Sequence, residues 1–143
     1  MKTKITILGV LLLLFSSIIL ACSDPASLDP ALSVIDALER GNHFEAIQLA
    51  NEIDSERLYE RLESRIFAIE TSFIGEETSF SAFIAELDTI DRMNITDLSA
   101  MTSNARNRAH NLNDSRTAFS TAESLFSRGD YSQAIYHYRQ VIC

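Results

Sequence analysis

The residue types that most often carry out chemistry are few in this chain. It holds three His and two Cys in 143 residues. None of His43, His110 and His137 has a second His or Cys at the spacing of a metal ligand, so the sequence predicts no metal site. A nucleophile-elbow motif and a Gly-rich phosphate loop are also missing from the sequence. We therefore expect no catalytic residues and no cofactor, and a function other than catalysis.

The cysteine with the most informative surroundings is Cys22. Two lysines at the start of the chain precede seventeen mostly apolar residues, 5–21, which is an order typical of a secretory signal. The stretch Ile19-Leu20-Ala21-Cys22 resembles the lipobox of bacterial lipoproteins. The resemblance implies that residues 1–21 are removed as a signal peptide. It also implies that Cys22 becomes the lipidated N-terminus, which holds the protein on the membrane through its acyl chains.

A second interpretation of this region stays open. Residues 5–21 could remain as an N-terminal anchor helix, because seventeen residues are at the lower limit for crossing a bilayer. In both interpretations the lysines hold the N-terminus inside and the rest of the chain lies outside the cytoplasm. Residues 22–29 then form a short tether. The residue after Cys22 is Ser23 and not Asp, so the lipoprotein resemblance implies the periplasmic side of the outer membrane in a Gram-negative cell.

The charge of the chain limits its partners. After residue 21 it carries twenty Asp and Glu against ten Arg, and no Lys. Nucleic acid and anionic lipid are poor partners for such a surface, whereas a basic partner is a suitable one. If Cys22 carries lipid, Cys143 has no cysteine to pair with and an internal disulfide is excluded. Cys143 stands at the end of a helical pattern, which indicates a chain truncated at that point.

Apolar residues recur at three- and four-residue spacing, and the period-two pattern of strands is missing, so we expect an all-α fold. Asp29 before Pro30 is typical of a helix start, and Gly41 of a helix end. In the second helix Phe44, Ile47 and Ala50 are predicted to face inward. Six helices are predicted, at about residues 30–40, 43–53, 55–74, 80–93, 96–128 and from 131 onward.

Two segments of the chain repeat one junction pattern. Residues 37–53 read ALERGNHFEAIQLANEI and residues 124–142 read SLFSRGDYSQAIYHYRQVI. The second segment resembles the tetratricopeptide repeat, in which glycine ends one helix and a small residue lets the next helix pack closely. The resemblance implies a domain at 30–143 built from about three stacked helical hairpins. The junction residues that it assigns to structural roles are Gly41, Ala46, Gly129, Tyr131, Ala134 and Tyr138.

The repeat resemblance implies a module that binds a protein or peptide of the cell envelope. The residues predicted to contact this partner are Tyr136, His137 and Arg139, together with Asn42 and His43. Two alternatives stay open. The long helix at about 96–128 could self-associate as a coiled coil in a structural lipoprotein that forms homo-oligomers. Alternatively, the chain could be the N-terminal part of a longer repeat array.

Charged residues on the third and fifth helices lead to two further expectations. Glu56, Glu60 and Glu63 alternate with arginines at spacings of three to five, which predicts ion pairs within one helix. Residues 104–111 form a polar, locally basic patch. This patch is either the solvent-exposed middle of a long helix or a contact for an acidic partner or for peptidoglycan.

Overall fold

A computed structural model describes residues 29–141, which form six α-helices and no strand. The predicted all-α fold is therefore confirmed for this part of the chain. Residues 1–28, with the lipobox, Cys22 and most of the tether, lie outside the described residues, as do 142 and 143. A single 3-10 turn, Thr96–Leu98, precedes the fifth helix. The helices are α1 Pro30–Glu39, α2 His43–Ala50, α3 Ser55–Ile74, α4 Phe80–Arg92, α5 Ser99–Ser127 and α6 Tyr131–Tyr138.

Short polar side chains cap five of these helices, which explains where the helices begin. Each cap accepts a hydrogen bond from a backbone N–H in the first turn, a group that has no acceptor within the helix. Asp29 caps α1 by accepting from Ala31 N at 3.2 Å, and Pro30 fits the first helical position. The hydrogen bond from Ala31 and the nearby Arg61 guanidinium lower the pKa of Asp29. The other caps are Asn42, Asp54, Ser79 and Asp130.

The two junctions that share a sequence pattern also share a backbone geometry. Gly41 and Gly129 have positive φ angles of 70° and 83°. In the first junction Asn42 N donates to Ala37 O at 2.8 Å, and in the second Asp130 N donates to Leu125 O at 3.0 Å. Both are Schellman ends, in which glycine reverses the chain without a steric penalty. Ala46 and Ala134, five residues after each glycine, are fully buried.

Helix α3 also finishes in a Schellman end, but the residue with the positive φ angle there is not a glycine. Gly75 has an ordinary negative φ, whereas Glu76 has a φ of 63°. Glu77 N donates to Ser72 O at 2.9 Å, which is the long hydrogen bond of a Schellman end. The prediction that α3 ends at Gly75 is confirmed to the residue, but the left-handed residue is Glu76.

Replacing Glu76 by glycine should therefore raise the free energy of unfolding by about 0.5–1 kcal/mol, because a residue with a Cβ is strained in this conformation. The loss of its exposed ion pair with Arg116, 3.4 Å long, offsets little of this gain. Urea denaturation measures the change. Asn94→Gly is the matched control, because Asn94 has a φ of 57° but asparagine tolerates it. A loss of stability in Glu76→Gly would disprove the assignment of strain.

Helix α3 lies at the centre of the fold, where it contacts α1, α4 and α5. Helix α2 contacts α1 and α4, and α4 also contacts α5. One face of α3 supplies much of the core. The prediction that Phe44 faces inward is wrong, because this side chain is 71 % exposed. The largest fully buried side chains include Phe83, Leu38, Leu58, Leu62, Ile66, Leu87, Ile90 and Leu98.

The buried face of α5 consists of small residues and not of the large apolar ones in its sequence. Phe119 and Phe126, which fit a coiled-coil repeat in the sequence, are 50 % and 55 % exposed. Ser115, which interrupts that repeat, is buried. Small side chains let neighbouring helices approach closely, so they occupy the face that packs within the molecule. The buried residues of α5 are Thr102, Ala105, Ala109, Ser115, Ala118 and Ala122.

The predicted ion pairs within α3 are wrong, because two of its three arginines, Arg61 and Arg65, pair with other elements. Arg65 Nε donates to Glu86 Oε1 on α4 at 2.6 Å, and Arg65 Nη1 donates to Glu39 on α1 at 3.1 Å. Arg61 pairs with Asp29 at 3.1 Å. The side chains of Arg65 and Glu86 are only 16 % and 10 % exposed. This buried pair therefore joins three helices at the centre of the fold.

The basic patch predicted at 104–111 is not a free cationic surface. Arg106 donates to Asp88 and Asp91 on α4, both at 2.8 Å. Arg108 makes a two-point contact with Glu70 on α3, at 2.6 and 2.8 Å. Hydrogen bonds to these carboxylates raise the pKa of both arginines. The two arginines of the patch thus hold α5 on α3 and α4.

Candidate functional site

The hairpin of α5 and α6 extends away from the main core. Leu112 is the last apolar residue of α5 that packs against that core, and one turn later Arg116 stacks on Phe73 and donates to Ile74 O at 2.8 Å. Beyond it, α6 runs back along the end of α5, and Ala118, Ala122 and Ala134 are buried in this hairpin. The small alanines bring the two helices close together, so larger side chains lie on the outer surface of the hairpin.

One surface of this hairpin is aromatic. The rings of Phe126 and Tyr131 pack edge to face with centroids 5.2 Å apart, and those of Phe119 and Tyr138 with centroids 6.0 Å apart. Ile135 lies one helical turn from Tyr131 on α6 and is 53 % exposed. We call these five residues the aromatic face. Exposed apolar side chains grouped in this way are typical of an interaction surface.

Tyr138 anchors one end of the aromatic face. Its hydroxyl donates a hydrogen bond to Glu123 on α5, which raises the pKa of Tyr138 because the neighbouring carboxylate disfavours a phenolate. The contact is therefore intact up to the ordinary tyrosine pKa and is lost as the pH rises through the raised value.

The structure separates the residues that the sequence predicts as partner contacts into two groups. Tyr136 is 58 % exposed, its ring is 5.3 Å from that of His137, and Arg139 caps the same helix. These three residues share the C-terminal turns of α6. Asn42 and His43 lie instead at the junction of α1 and α2, where their side chains bond to Glu45 and Thr89.

The local contacts of Asn42 and His43 are structural. Asn42 accepts from Glu45 N at 3.4 Å and donates to Glu45 Oε2 at 2.6 Å, so both ends of its side chain stabilise the start of α2. His43 Nδ1 forms a hydrogen bond of 2.9 Å with the buried Thr89 Oγ1 on α4. These contacts fix α2 against the core.

A second surface, which the sequence analysis missed, is a groove along the exposed side of α3. Its first section has a volume of about 710 Å³ and lies between the start of α3 and the turn before α5. Glu56, Glu60, Glu63 and Asp97 line this section, with Tyr59 at its wall. Within the described residues no arginine forms an ion pair with any of these four carboxylates. Their negative charge is therefore directed to solvent.

The next section of the groove is apolar. It has a volume of about 780 Å³ between α3 and α5, and Phe67, Ile74 and Met101 line it. Phe67 and Ile74 are 59 % and 57 % exposed, so the groove offers apolar surface to a ligand. The Arg108–Glu70 pair crosses this section and neutralises both charges there.

Asp97 lines both sections, so they form one continuous surface that we call the α3 groove. From Glu56 to Ile74 it follows about 27 Å of helix. A weak sequence signal for it existed, because Tyr59, Phe67 and Ile74 lie seven or eight residues apart on α3, off the buried stripe. The turn at residues 94–97, which forms the opposite wall, gave no such signal.

The described residues contain no group of three or more His, Cys, Asp or Glu that could hold a metal ion. Between residues 29 and 141, none of the helices has the length and hydropathy needed to cross a membrane. Comparison of the chain with protein-family models, with curated proteins and with solved structures finds no match. Any functional proposal therefore rests on the geometry of the molecule itself.

Proposed function

We propose that this protein is a non-catalytic interaction module of the cell envelope, anchored to the membrane through lipidated Cys22. In this proposal the α3 groove binds a peptide segment of a partner protein. The segment carries Lys or Arg at one end, for the acidic section, and apolar side chains at the other, for the apolar section. The observation that carries the proposal is the continuous groove with free carboxylates beside exposed apolar residues.

The helix contacts support a repeat-like architecture. Helix α1 packs on α3, and α2 packs on α4, so the first hairpin lies against the second with equivalent helices in contact. Stacked hairpins of this kind present one helix from each repeat on a common surface. We propose that α3 and α5 are those surface helices and that the domain is similar to the tetratricopeptide repeat. The great length of α5 displaces the third hairpin from the stack.

Two synthetic peptides of identical composition test the binding proposal. One has four lysines at one end followed by Leu and Phe at helical spacing, and the other has the same residues in scattered order. We expect the segregated peptide to bind the full chain at least tenfold more tightly in fluorescence anisotropy. Equal affinity of the two peptides, or no binding of either, would contradict the proposal.

Lipid anchoring has a separate test, the intact mass of the protein isolated from membranes. We expect a mass that lacks residues 1–21 and includes acyl chains, and we expect both changes to be lost in Cys22→Ala, because the thiol is the attachment point. Cys143→Ala is the matched control and should keep the lipidated mass. A full-length, unmodified mass would support the retained anchor helix instead.

Ser23 after the cysteine leads us to propose that the protein is anchored in the outer membrane. Separation of the two membranes of a Gram-negative cell tests this location.

A further inference from the structure

We propose that the aromatic face is the contact between two copies of this chain. This inference concerns a different surface from the α3 groove, so either proposal can fail without the other. The face combines two aromatic pairs and Ile135 on a hairpin that reaches beyond the main core. The only large contact of α6 within the described residues is with α5, which leaves the outer side of the hairpin uncovered.

The area of the face matches what a specific but reversible dimer needs. Phe119, Phe126, Tyr131 and Ile135 are each 50–58 % exposed. Side chains of this size bury about 150–250 Å² each when fully covered, so together they offer roughly 400 Å² per copy. Two copies would bury about 800–900 Å² through these residues, and flanking polar residues would bring the total to the lower range of specific interfaces.

The distribution of charge favours a second copy at this surface. Residues 29–112 carry sixteen Asp and Glu against seven Arg, whereas residues 113–141 carry three of each kind. Two copies approaching through their main bodies repel each other, but two hairpins do not. The hairpin extends about 16 Å beyond Arg116, which contacts the end of α3. The acidic bodies can therefore stay apart by more than the Debye length of about 8 Å at physiological salt.

The charged residues near the tip of the hairpin are also compatible with a contact between two identical faces. Arg128 and Asp130 lie on either side of Gly129 in the turn between α5 and α6, and they carry opposite charges. In a twofold contact the same patch meets itself, so a patch with balanced charge is self-complementary. A partner selected by strong charge would be expected at the acidic section of the α3 groove and not at this neutral, aromatic surface.

Sedimentation equilibrium of the full chain in density-matched detergent tests the inference, under reducing conditions so that Cys143 cannot form a disulfide. We expect a monomer–dimer equilibrium at micromolar concentration. Phe126→Ser with Tyr131→Ser should weaken the dimer at least about 100-fold, because central aromatic residues dominate such contacts. Phe44→Ser is the matched control and should leave the dimer unchanged, since Phe44 is 71 % exposed on the distant α2.

A monomer at all concentrations would overturn the inference, as would a dimer that survives the double variant or one that Phe44→Ser also abolishes. If circular dichroism shows that the double variant has lost helix content, Ile135→Arg replaces it, because this change places a charge on the face without removing an aromatic pair. If the chain is monomeric and the hairpin variants lose a different protein that co-purifies with the parent chain, the face binds that protein. This result would overturn the proposal of a second copy.

Discussion

Replacing Glu86 by alanine should lower the free energy of unfolding by about 3–5 kcal/mol, the largest effect that we expect from a single substitution of a charged residue. Glu86 accepts two hydrogen bonds from Arg65, at 2.6 and 3.2 Å, and both side chains are shielded from water. The variant leaves the Arg65 guanidinium in the core with only Glu39 as a partner, and Glu39 is 56 % exposed. Urea denaturation followed by circular dichroism measures the loss.

A double variant separates the cost of an orphaned charge from the value of the pair. Arg65→Met with Glu86→Leu removes both charges and keeps most of the volume, so its stability should lie within about 1–2 kcal/mol of the parent chain. Arg40→Ala is the control for ordinary surface pairs, here with Asp36 and Glu45, and its cost should be below about 1 kcal/mol. A double variant as unstable as Glu86→Ala would show that the pair itself, and not the unpaired charge, determines the effect.

Removing the apolar side chains of the α3 groove should have the largest effect on binding. Phe67→Ser with Ile74→Ser is expected to weaken the segregated peptide at least about 100-fold, because each side chain offers more than half of its surface to the ligand. Both residues are exposed, so the fold should survive, and thermal denaturation checks this. Phe44→Ser removes a phenylalanine that is even more exposed, at 71 %, but lies outside the groove, so it should leave binding unchanged.

The acidic section should contribute differently. Glu60→Gln with Glu63→Gln should weaken the same peptide by about tenfold at low salt and less at high salt, since exposed charges act mainly through screened attraction. Glu52→Gln is the matched control, because Glu52 is exposed in the turn before α3 and does not line the groove. If the loss were independent of salt, or equal for the segregated and scattered peptides, the proposed orientation of the ligand would be wrong.

Helix boundaries were predictable because the signals for them are local. Asp29, Ser79 and Asp130 stand directly before their helices, and each bonds to a backbone N–H within the first turn. Gly41 and Gly129 end helices because their positive φ suits a residue without a Cβ. At the end of α3 the local signal fails in one respect. Glycine at position 75 predicts the left-handed residue there, whereas Glu76 adopts the positive φ.

Packing partners were not predictable, because they depend on which helices meet. Arg65 has three glutamates nearby in sequence, yet it pairs with Glu86, twenty-one residues away. Arg108 pairs with Glu70 across thirty-eight residues. Hydrophobic spacing places both Phe119 and Ala122 on the inner face of α5, but only Ala122 is buried, because close helix approach favours the small residue. In the sequence, the glutamates of the α3 groove are typical of a solvent-exposed helix face. In the structure they line a groove, because the turn at 94–97 forms its opposite wall.

The most direct test of the proposed binding role is site-specific photo-cross-linking of the full chain in cells. A photoreactive amino acid replaces Glu60 in the acidic section, Thr71 in the apolar section, or the exposed Gln48 on α2 as a control. We predict that Glu60 and Thr71 cross-link to one segment of one partner. Lys or Arg should lie at the Glu60 contact and apolar residues at the Thr71 contact, with no product from Gln48. Equal yields from all three positions, or none from the groove, would contradict the account.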